Sequence, residues 1–255
     1  MLTSGGEPTS IRLRSLGLFC LALSAFVVIC WACSGAGGGS TSEESAAGAD
    51  SDALPQHLAS GTIGWPTDWS VHSVDLNELT VGLKGAEDMR DTIPPIDEPT
   101  FESVEDAGQW LGSDDLVAQF ELNGDARAYP LRIIAHHEIV NDWLGGIPVA
   151  ITYCPQCTSA VGFDRRIDGQ ALRFGVSGLL RLNDLVMWDD ATTSLWQQLS
   201  GVAIVGELTG QQLELISTPI VRFGDFAERF PNARVLSRDT GFGLSYDAPY
   251  ALEEE

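Results

Sequence analysis

Apolar residues alternate with polar ones in several short segments of the chain, and this alternation limits the fold more than any other feature. In the clearest segment, residues 116–122, every second residue is apolar, which is the period at which side chains share one face of a β-strand. Asn123-Gly124 follows directly and is a strong signal for a two-residue hairpin turn. A second apolar run, residues 126–131, comes next. The pattern predicts an antiparallel hairpin.

Two further glycine-containing turns separate short apolar runs. We predict hairpins at Asp168-Gly169, between residues 161–167 and 172–176, and at Thr209-Gly210, between residues 203–208 and 213–216. Short strands joined by such turns indicate a mainly β (α+β) fold, in which antiparallel hairpins form a barrel-like or sandwich core. The few helices are predicted over residues 104–111, 131–144 and 223–230, the last stopped by Pro231.

The N-terminal residues have the features of a secretory signal. Arg12 and Arg14 precede an uncharged run, residues 16–31, and Ala32-Cys33-Ser34 follows. The run is shorter than the roughly 20 residues that a spanning helix needs. We therefore predict a lipoprotein-type signal peptide over residues 1–32, with Cys33 as the lipid-bearing residue. An ordinary cleaved signal and an uncleaved anchor are the alternatives, and all three export the protein. The predicted location is at a membrane, facing the periplasm or the cell exterior.

Composition divides the rest of the chain. Residues 33–60 are rich in small and acidic residues and predict a flexible tether. Residues 61–89 are predicted to form an extension that packs on the domain. Residues 90–240 are predicted to form the main domain, and residues 241–255 an acidic tail.

The chain has 36 acidic and 14 basic residues and a net charge of −22. Such a charge argues against nucleic acid as a partner.

Two cysteines remain once the N-terminal segment is set aside. The chain has five, and three of them, Cys20, Cys30 and Cys33, lie in that segment. Cys154 and Cys157 form a C-x-x-C pair after the apolar, β-prone run of residues 147–153. A pair with this spacing can bind a soft metal ion, exchange disulfides or form a structural disulfide.

Two adjacent histidines precede this pair and favour a metal site. In the preferred interpretation Cys154, Cys157 and His137 bind copper or zinc, and His136 and Met187 are further candidate ligands. Polar side chains next to the histidines are predicted to orient a ligating imidazole through hydrogen bonds. They are Glu138, Asn141 and Asp142.

Two other interpretations stay open. In a thiol-disulfide oxidoreductase, Cys154 attacks and Cys157 is the resolving thiol, as in the glutaredoxin motif. The segment after Cys157 has a strand pattern, however, whereas a thioredoxin-type site needs a helix there to lower the thiol pKa. In a non-catalytic binding module the pair is a structural disulfide. A metal-delivery or redox partner protein is expected for the first two functions.

Longer motifs carry a resemblance over about residues 90–238. The chain resembles an uncharacterised prokaryotic family, domain of unknown function number 3179, and the resemblance implies no activity. The motifs include Arg90-Asp91-x-Ile93-Pro94, Ala128-Tyr-Pro-Leu131, His137-Glu-Ile-Val-Asn-Asp142, Tyr153-Cys-Pro-x-Cys157, Phe174-Gly-Val-Ser-Gly-Leu179, Leu185-Val-Met-x-Asp189 and Ser194-Leu-Trp-x-Gln198.

Overall fold

The computed structural model describes residues 54–83 and 85–247, which form a mainly β domain with short helices. The helices are α1 (Gln56–Ala59), α2 (Val104–Ala107), α3 (Leu131–His137) and α4 (Phe223–Arg229), and a 3₁₀ turn spans Leu76–Glu78. The strands are β1 (Leu79–Val81), β2 (Phe101–Ser103), β3 (Leu116–Leu122), β4 (Asp125–Pro130), β5 (Ile139–Leu144), β6 (Ile147–Cys154), β7 (Ser159–Asp164), β8 (Arg166–Ile167), β9 (Gln170–Ala171), β10 (Phe174–Arg181), β11 (Asp184–Asp189), β12 (Leu195–Gln197), β13 (Val202–Val205), β14 (Glu214–Ile216), β15 (Ile220–Arg222) and β16 (Arg234–Leu236).

The strands form three larger sheets and one small one. Their orders are β1-β10-β11-β12-β13, β14-β7-β6-β5, β15-β3-β4-β16-β2 and β8-β9. Neighbouring strands are antiparallel except for β4 and β16, which are parallel. The predicted mainly β fold is confirmed, and the arrangement is sandwich-like. Within the described residues no sheet closes into a barrel.

The sheet that contains β6 lies between the other two larger sheets. Alternate residues of β6 enter different hydrophobic clusters: Ile151 packs against the β3-β4 side, and Cys154 packs with residues of β10 and β11. A strand buried on both faces has an almost continuous apolar sequence, which explains the run of residues 147–153. Cys154 therefore points towards the sheet that contains β11.

The hairpin predictions have different outcomes. Asn123-Gly124 joins β3 to β4 with both residues at positive φ, as predicted. Asp168-Gly169 also makes a hairpin, but its strands, β8 and β9, have two residues each. The hairpin at Thr209-Gly210 is correct only in part. The chain reverses there and Val202 pairs with Gln212 in an isolated antiparallel bridge, but β13 pairs with β12 in one sheet and β14 with β7 in another. A turn signal specifies a local reversal of the chain but not the strands that pair across it.

The helix predicted over residues 131–144 is half correct. Helix α3 ends at His137, since Glu138 adopts a left-handed conformation with φ 59°, and residues 139–144 form β5 instead. The β5 strand pairs with β6 along its whole length, and the β-branched Ile139 and Val140 favour this conformation. The other two predicted helices correspond to α2, which is shorter than predicted, and α4.

The residues before the main domain cover the outer face of the first sheet. Strand β1 pairs with β10, and Trp65 and Met89 pack with Leu179 and Val186 in one buried cluster. No described helix is long and apolar enough to cross a membrane. The predicted signal peptide, Cys33, residues 34–53 of the predicted tether and the end of the predicted acidic tail lie outside the described residues. The last residues of that predicted tether form α1, whose Leu58 is fully buried, so this part packs on the domain.

Candidate functional site

The turn between β6 and β7 carries both cysteines. Cys154 is the last residue of β6 and pairs with Ser159, the first residue of β7. Residues 155–158 make the connection, and Thr158 takes a positive φ of 50° to close it. Both cysteines are free thiols. Cys154 is only 1% exposed, whereas Cys157 is partly exposed.

A carboxylate from another sheet completes a three-residue group. Asp184 opens β11, directly after the tight turn of Leu182 and Asn183, which both have positive φ. One ligand atom each from Cys154, Cys157 and Asp184 lies within 4.8 Å of the other two, and no other such group of histidine, cysteine or acidic residues occurs among the residues that the structure describes. Two sulfurs and one oxygen at this spacing can bind one metal ion.

Hydrogen bonds fix the orientation of the Asp184 carboxylate. Its Oδ2 accepts from Gln197 Nε2 at 2.6 Å and from the backbone N–H of Leu199 at 3.0 Å. Its Oδ1 lies 3.5 Å from Cys157 Sγ. Arg181 in turn donates to Gln197 Oε1 at 2.9 Å. One carboxylate oxygen is therefore held by the protein, and the other faces the thiols.

The buried carboxylate has no basic partner in the described part of the chain. Asp184 is 2% exposed, and Arg181, which reaches Gln197, makes its ion pair with Glu78 instead. A buried charge without a counter-charge is costly, so such groups are usually paired or bind a metal ion. A bound cation would supply the missing charge.

A chain of hydrogen bonds also fixes which atoms face Cys157. Thr152 Oγ1 donates its one hydrogen to the carbonyl of Val161 at 2.7 Å. It can therefore only accept from Gln198, whose Nε2 donates to it at 2.9 Å. Gln198 Oε1 accepts from Ser159 Oγ at 3.2 Å. Because a hydroxyl has one hydrogen, Ser159 has only lone pairs left for Cys157 Sγ, 3.1 Å away.

The surroundings of Cys157 consequently contain more acceptors than donors. Both Ser159 Oγ and Asp184 Oδ1 face the sulfur as acceptors, and the single thiol hydrogen can satisfy only one of them. Asp184 is buried, so an Oδ1 left without a donor would be unfavourable. A cation in place of the thiol hydrogen would satisfy the sulfur and the carboxylate together.

Burial keeps the Cys154 thiol protonated. Desolvation, followed by a side-chain hydrogen bond with Cys157, raises the pKa of Cys154 to about 12, although backbone N–H groups of Cys157 and Leu185 act in the opposite direction. Cys154 Sγ also lies 3.7 Å from the carbonyl of Asn183. A thiol of this kind is a weak nucleophile. A metal ion would have to displace its proton, so binding would strengthen as the pH rises.

The histidines do not join this group. His137 is buried, its Nδ1 bonds the carbonyl of Pro94 at 2.7 Å, and its Nε2 bonds the hydroxyl of Tyr246. Burial lowers the pKa of His137, which favours the neutral ring. His136 is exposed. The ligand set with His137 stays a prediction, and the described residues offer Asp184 as the third ligand.

The predicted supporting residues make other contacts. Asn141 bonds the backbone N–H and carbonyl of Phe174, and Asp142 accepts from Arg127 and Tyr129. Burial raises the pKa of Glu138 to about 7. No hydrogen bond joins any of these three side chains to Cys154 or Cys157. Their predicted role beside an imidazole ligand stays a prediction.

Met187 belongs to the same buried cluster as Cys154 and is fully buried. It pairs with Trp196 across β11 and β12. These contacts are those of a core residue, and its predicted role as a ligand stays a prediction.

The sequence patterns did not reveal Ser159 and Asp184, the side chains that face Cys157. Nor did they reveal the residues that hold these two in place, which are Thr152, Gln197 and Gln198. Two signals were present: Asp184 directly precedes the Leu185-Val-Met-x-Asp189 motif, and Gln198 ends the Ser194-Leu-Trp-x-Gln198 motif. Neither motif is near the cysteines in sequence, and only the packing of two sheets brings them together.

Comparison with known proteins gives a family but no activity. A family model described as protein of unknown function, DUF3179, matches residues 90–252, which include every residue of the site. No curated protein and no solved structure matches the chain.

Proposed function

The chain belongs to the DUF3179 family, and we propose that it binds a soft or borderline metal ion, zinc in the first place, at Cys154, Cys157 and Asp184. The observation that carries this proposal is the meeting of two thiols and a buried carboxylate, all within 4.8 Å, without a basic partner in the described residues. The surplus of acceptors around Cys157 supports it further.

The ligand set favours zinc over copper. Zinc binds thiolates at about 2.3 Å and carboxylate oxygens at about 2.0–2.2 Å, usually with four ligands. Cu(I) prefers thiolate and thioether sulfur to carboxylate oxygen, and Met187, the methionine predicted as a ligand, is a core residue. Copper is therefore the second ion to test. Three protein ligands leave a fourth position for water or for a ligand from another molecule.

We place this function outside the cytoplasm. The basic residues, the short apolar run and Cys33 support export and a lipid anchor, so the membrane and a metal-delivery protein are the proposed partners. In this setting the domain would hold an ion or pass it on.

The rival function is that of an extracytoplasmic thiol-disulfide oxidoreductase. Two free thiols in one turn support it. Against it, the residues after Cys157 form β7 and not a helix, so no helix N-terminus stabilises a thiolate. The third candidate, a binding module with a structural disulfide, gains little from so short a ring, because such a ring removes little entropy from the unfolded chain.

Metal binding is tested on the full chain with Cys20→Ser, Cys30→Ser and Cys33→Ser, called here the two-thiol protein. After purification under reducing conditions it is titrated with zinc, and with cobalt as a spectroscopic substitute. We expect about one ion per chain and thiolate-to-cobalt charge-transfer absorption. Adding Cys154→Ser and Cys157→Ser together should abolish both signals.

Asp184→Asn tests the third ligand, and we expect zinc affinity to fall at least about ten-fold. Asp168→Asn is the matched control, because it removes the same charge from an exposed turn and should leave the affinity unchanged. Equal losses of zinc affinity in the two variants would mean that the overall negative charge of the protein attracts zinc and that Asp184 is not a ligand. The absence of stoichiometric zinc and copper, with rapid disulfide exchange by the same protein, would favour the oxidoreductase.

A further inference from the structure

The two sulfurs of the site differ in what can reach them. Cys154 is 1% exposed and lies in a cluster with residues such as Ile139 and Phe163. Cys157 is partly exposed, between the exposed Gln156 and Thr158 in the turn. A small disulfide in solution can therefore approach Cys157, whereas the domain core blocks its approach to Cys154. Disulfide exchange requires the attacking sulfur to meet the disulfide directly.

We propose that Cys157 is the sulfur that reacts with external disulfides, and that Cys154 then closes an intramolecular disulfide which releases the bound ion. The order of the two thiols is the reverse of the one that the sequence motif predicted. The release of the ion rests on the proposed function, but the order of reaction does not.

The reaction has two steps. The thiolate of Cys157 attacks a disulfide RSSR, so that a Cys157–SR bond forms, the RS–SR bond breaks and RS⁻ leaves. Cys154 then loses its proton and attacks Cys157, so that the Cys154–Cys157 bond forms and a second RS⁻ leaves. The two cysteines lose two electrons and two protons in total, and RSSR becomes two RSH. In the metal-bound protein both cysteines begin as thiolates, and the ion leaves with its oxidation state unchanged.

The geometry favours the second step and the loss of the ion. The two sulfurs lie within 4.8 Å on one short turn, and a disulfide brings them to about 2.0 Å. Closing this distance bonds two of the three ligand atoms to each other. Disulfide sulfurs carry no charge, so Asp184 would be the only anionic ligand left. One carboxylate is a poor site for zinc.

The order of reaction is tested on the metal-free two-thiol protein with oxidised glutathione and mass spectrometry. The Cys154→Ser variant should gain one glutathione, on Cys157, at least about ten-fold faster than the Cys157→Ser variant gains one on Cys154. With both thiols present, the product should be two hydrogen masses lighter and carry no glutathione. In denaturant the two single variants should react at similar rates, because the fold causes the difference.

A second measurement avoids substitution at the buried position. Brief treatment of the two-thiol protein with iodoacetamide, followed by peptide mass spectrometry, should show the label on Cys157 before Cys154. Labelling of Cys154 first, or equal rates for the two folded single variants, would overturn the proposed order.

Release of the ion is measured separately on zinc-loaded two-thiol protein, with a zinc dye in solution. Oxidised glutathione should release one zinc for each intramolecular disulfide formed. Zinc retained in the oxidised protein would refute the release step. A protein that never binds zinc would contradict the proposed function and leave the order of reaction to be judged by the metal-free experiments.

Discussion

Glu138 offers a quantitative test of the packing around α3 and β5. Its carboxyl group is half-buried at the end of α3, and no hydrogen bond or ion pair joins it to another described side chain. Burial alone raises the pKa of Glu138 from 4.5 to about 7. We predict that Glu138→Gln, which keeps the size of the side chain and removes the charge, stabilises the protein at neutral pH.

The size and sign of the effect follow from that pKa. Each tenfold change in an acid constant corresponds to about 1.4 kcal/mol, so a pKa raised from 4.5 to about 7 destabilises the ionised folded protein by at most about 3 kcal/mol. Between these pH values the folded state binds more protons than the unfolded state, and wild-type stability falls as the pH rises. The advantage of Glu138→Gln should be near zero at pH 4.5, grow to pH 7 and stay constant above it.

Urea unfolding of the full chain under reducing conditions, followed by tryptophan fluorescence between pH 4.5 and 8, measures this difference. Glu228→Gln removes an exposed carboxylate from α4 and should show no comparable trend. A difference in the free energy of unfolding between Glu138→Gln and wild type that does not change with pH would contradict a raised pKa of Glu138. So would a wild-type protein that is more stable than Glu138→Gln at pH 8, since that result would require a favourable partner for the carboxylate.

Two further substitutions test the backbone and the buried histidine. Leu182 is 74% exposed and has φ 53°. This conformation costs a leucine about 1–2 kcal/mol, whereas asparagine tolerates it. Leu182→Asn should therefore raise the free energy of unfolding by about 1 kcal/mol, and a lower urea midpoint would contradict this. Tyr246→Phe leaves His137 Nε2 without its partner and should lower the free energy of unfolding by about 1–3 kcal/mol. Thr240→Val, which keeps the bond between Tyr246 and His137, should cost less, and equal losses would argue that this bond contributes nothing.

Local patterns predicted the local parts of the fold. The β3-β4 hairpin needs only alternating residues and Asn123-Gly124, which are adjacent in sequence, and its prediction is confirmed. The helix predicted over residues 131–144 fails at Glu138, where the chain enters β5 and the carbonyl of Glu138 bonds the N–H of Tyr153. That bond depends on the pairing of β5 with β6. Periodicity within the segment cannot show it.

The site was predictable only in part for the same reason. The cysteine spacing and the strand before Cys154 are local, and the structure has both. Asp184 lies on a different hairpin, in a different sheet, and of the motif that follows it only Met187 was considered as a ligand. His137 is closer to the cysteines in sequence and was the natural third ligand, yet its ring bonds Pro94 and Tyr246. Proximity along the chain was therefore a poor guide to proximity in space.

Cys154, Cys157 and Asp184 are proposed to bind zinc together. X-ray absorption at the zinc edge, on the two-thiol protein loaded with one equivalent of zinc, examines this ligand set. We predict two sulfur neighbours at about 2.3 Å and oxygen neighbours at about 2.0–2.2 Å, with no scattering pattern from an imidazole ring. Zinc surrounded only by oxygen and nitrogen, or zinc with an imidazole in its shell, would contradict the proposed ligand set.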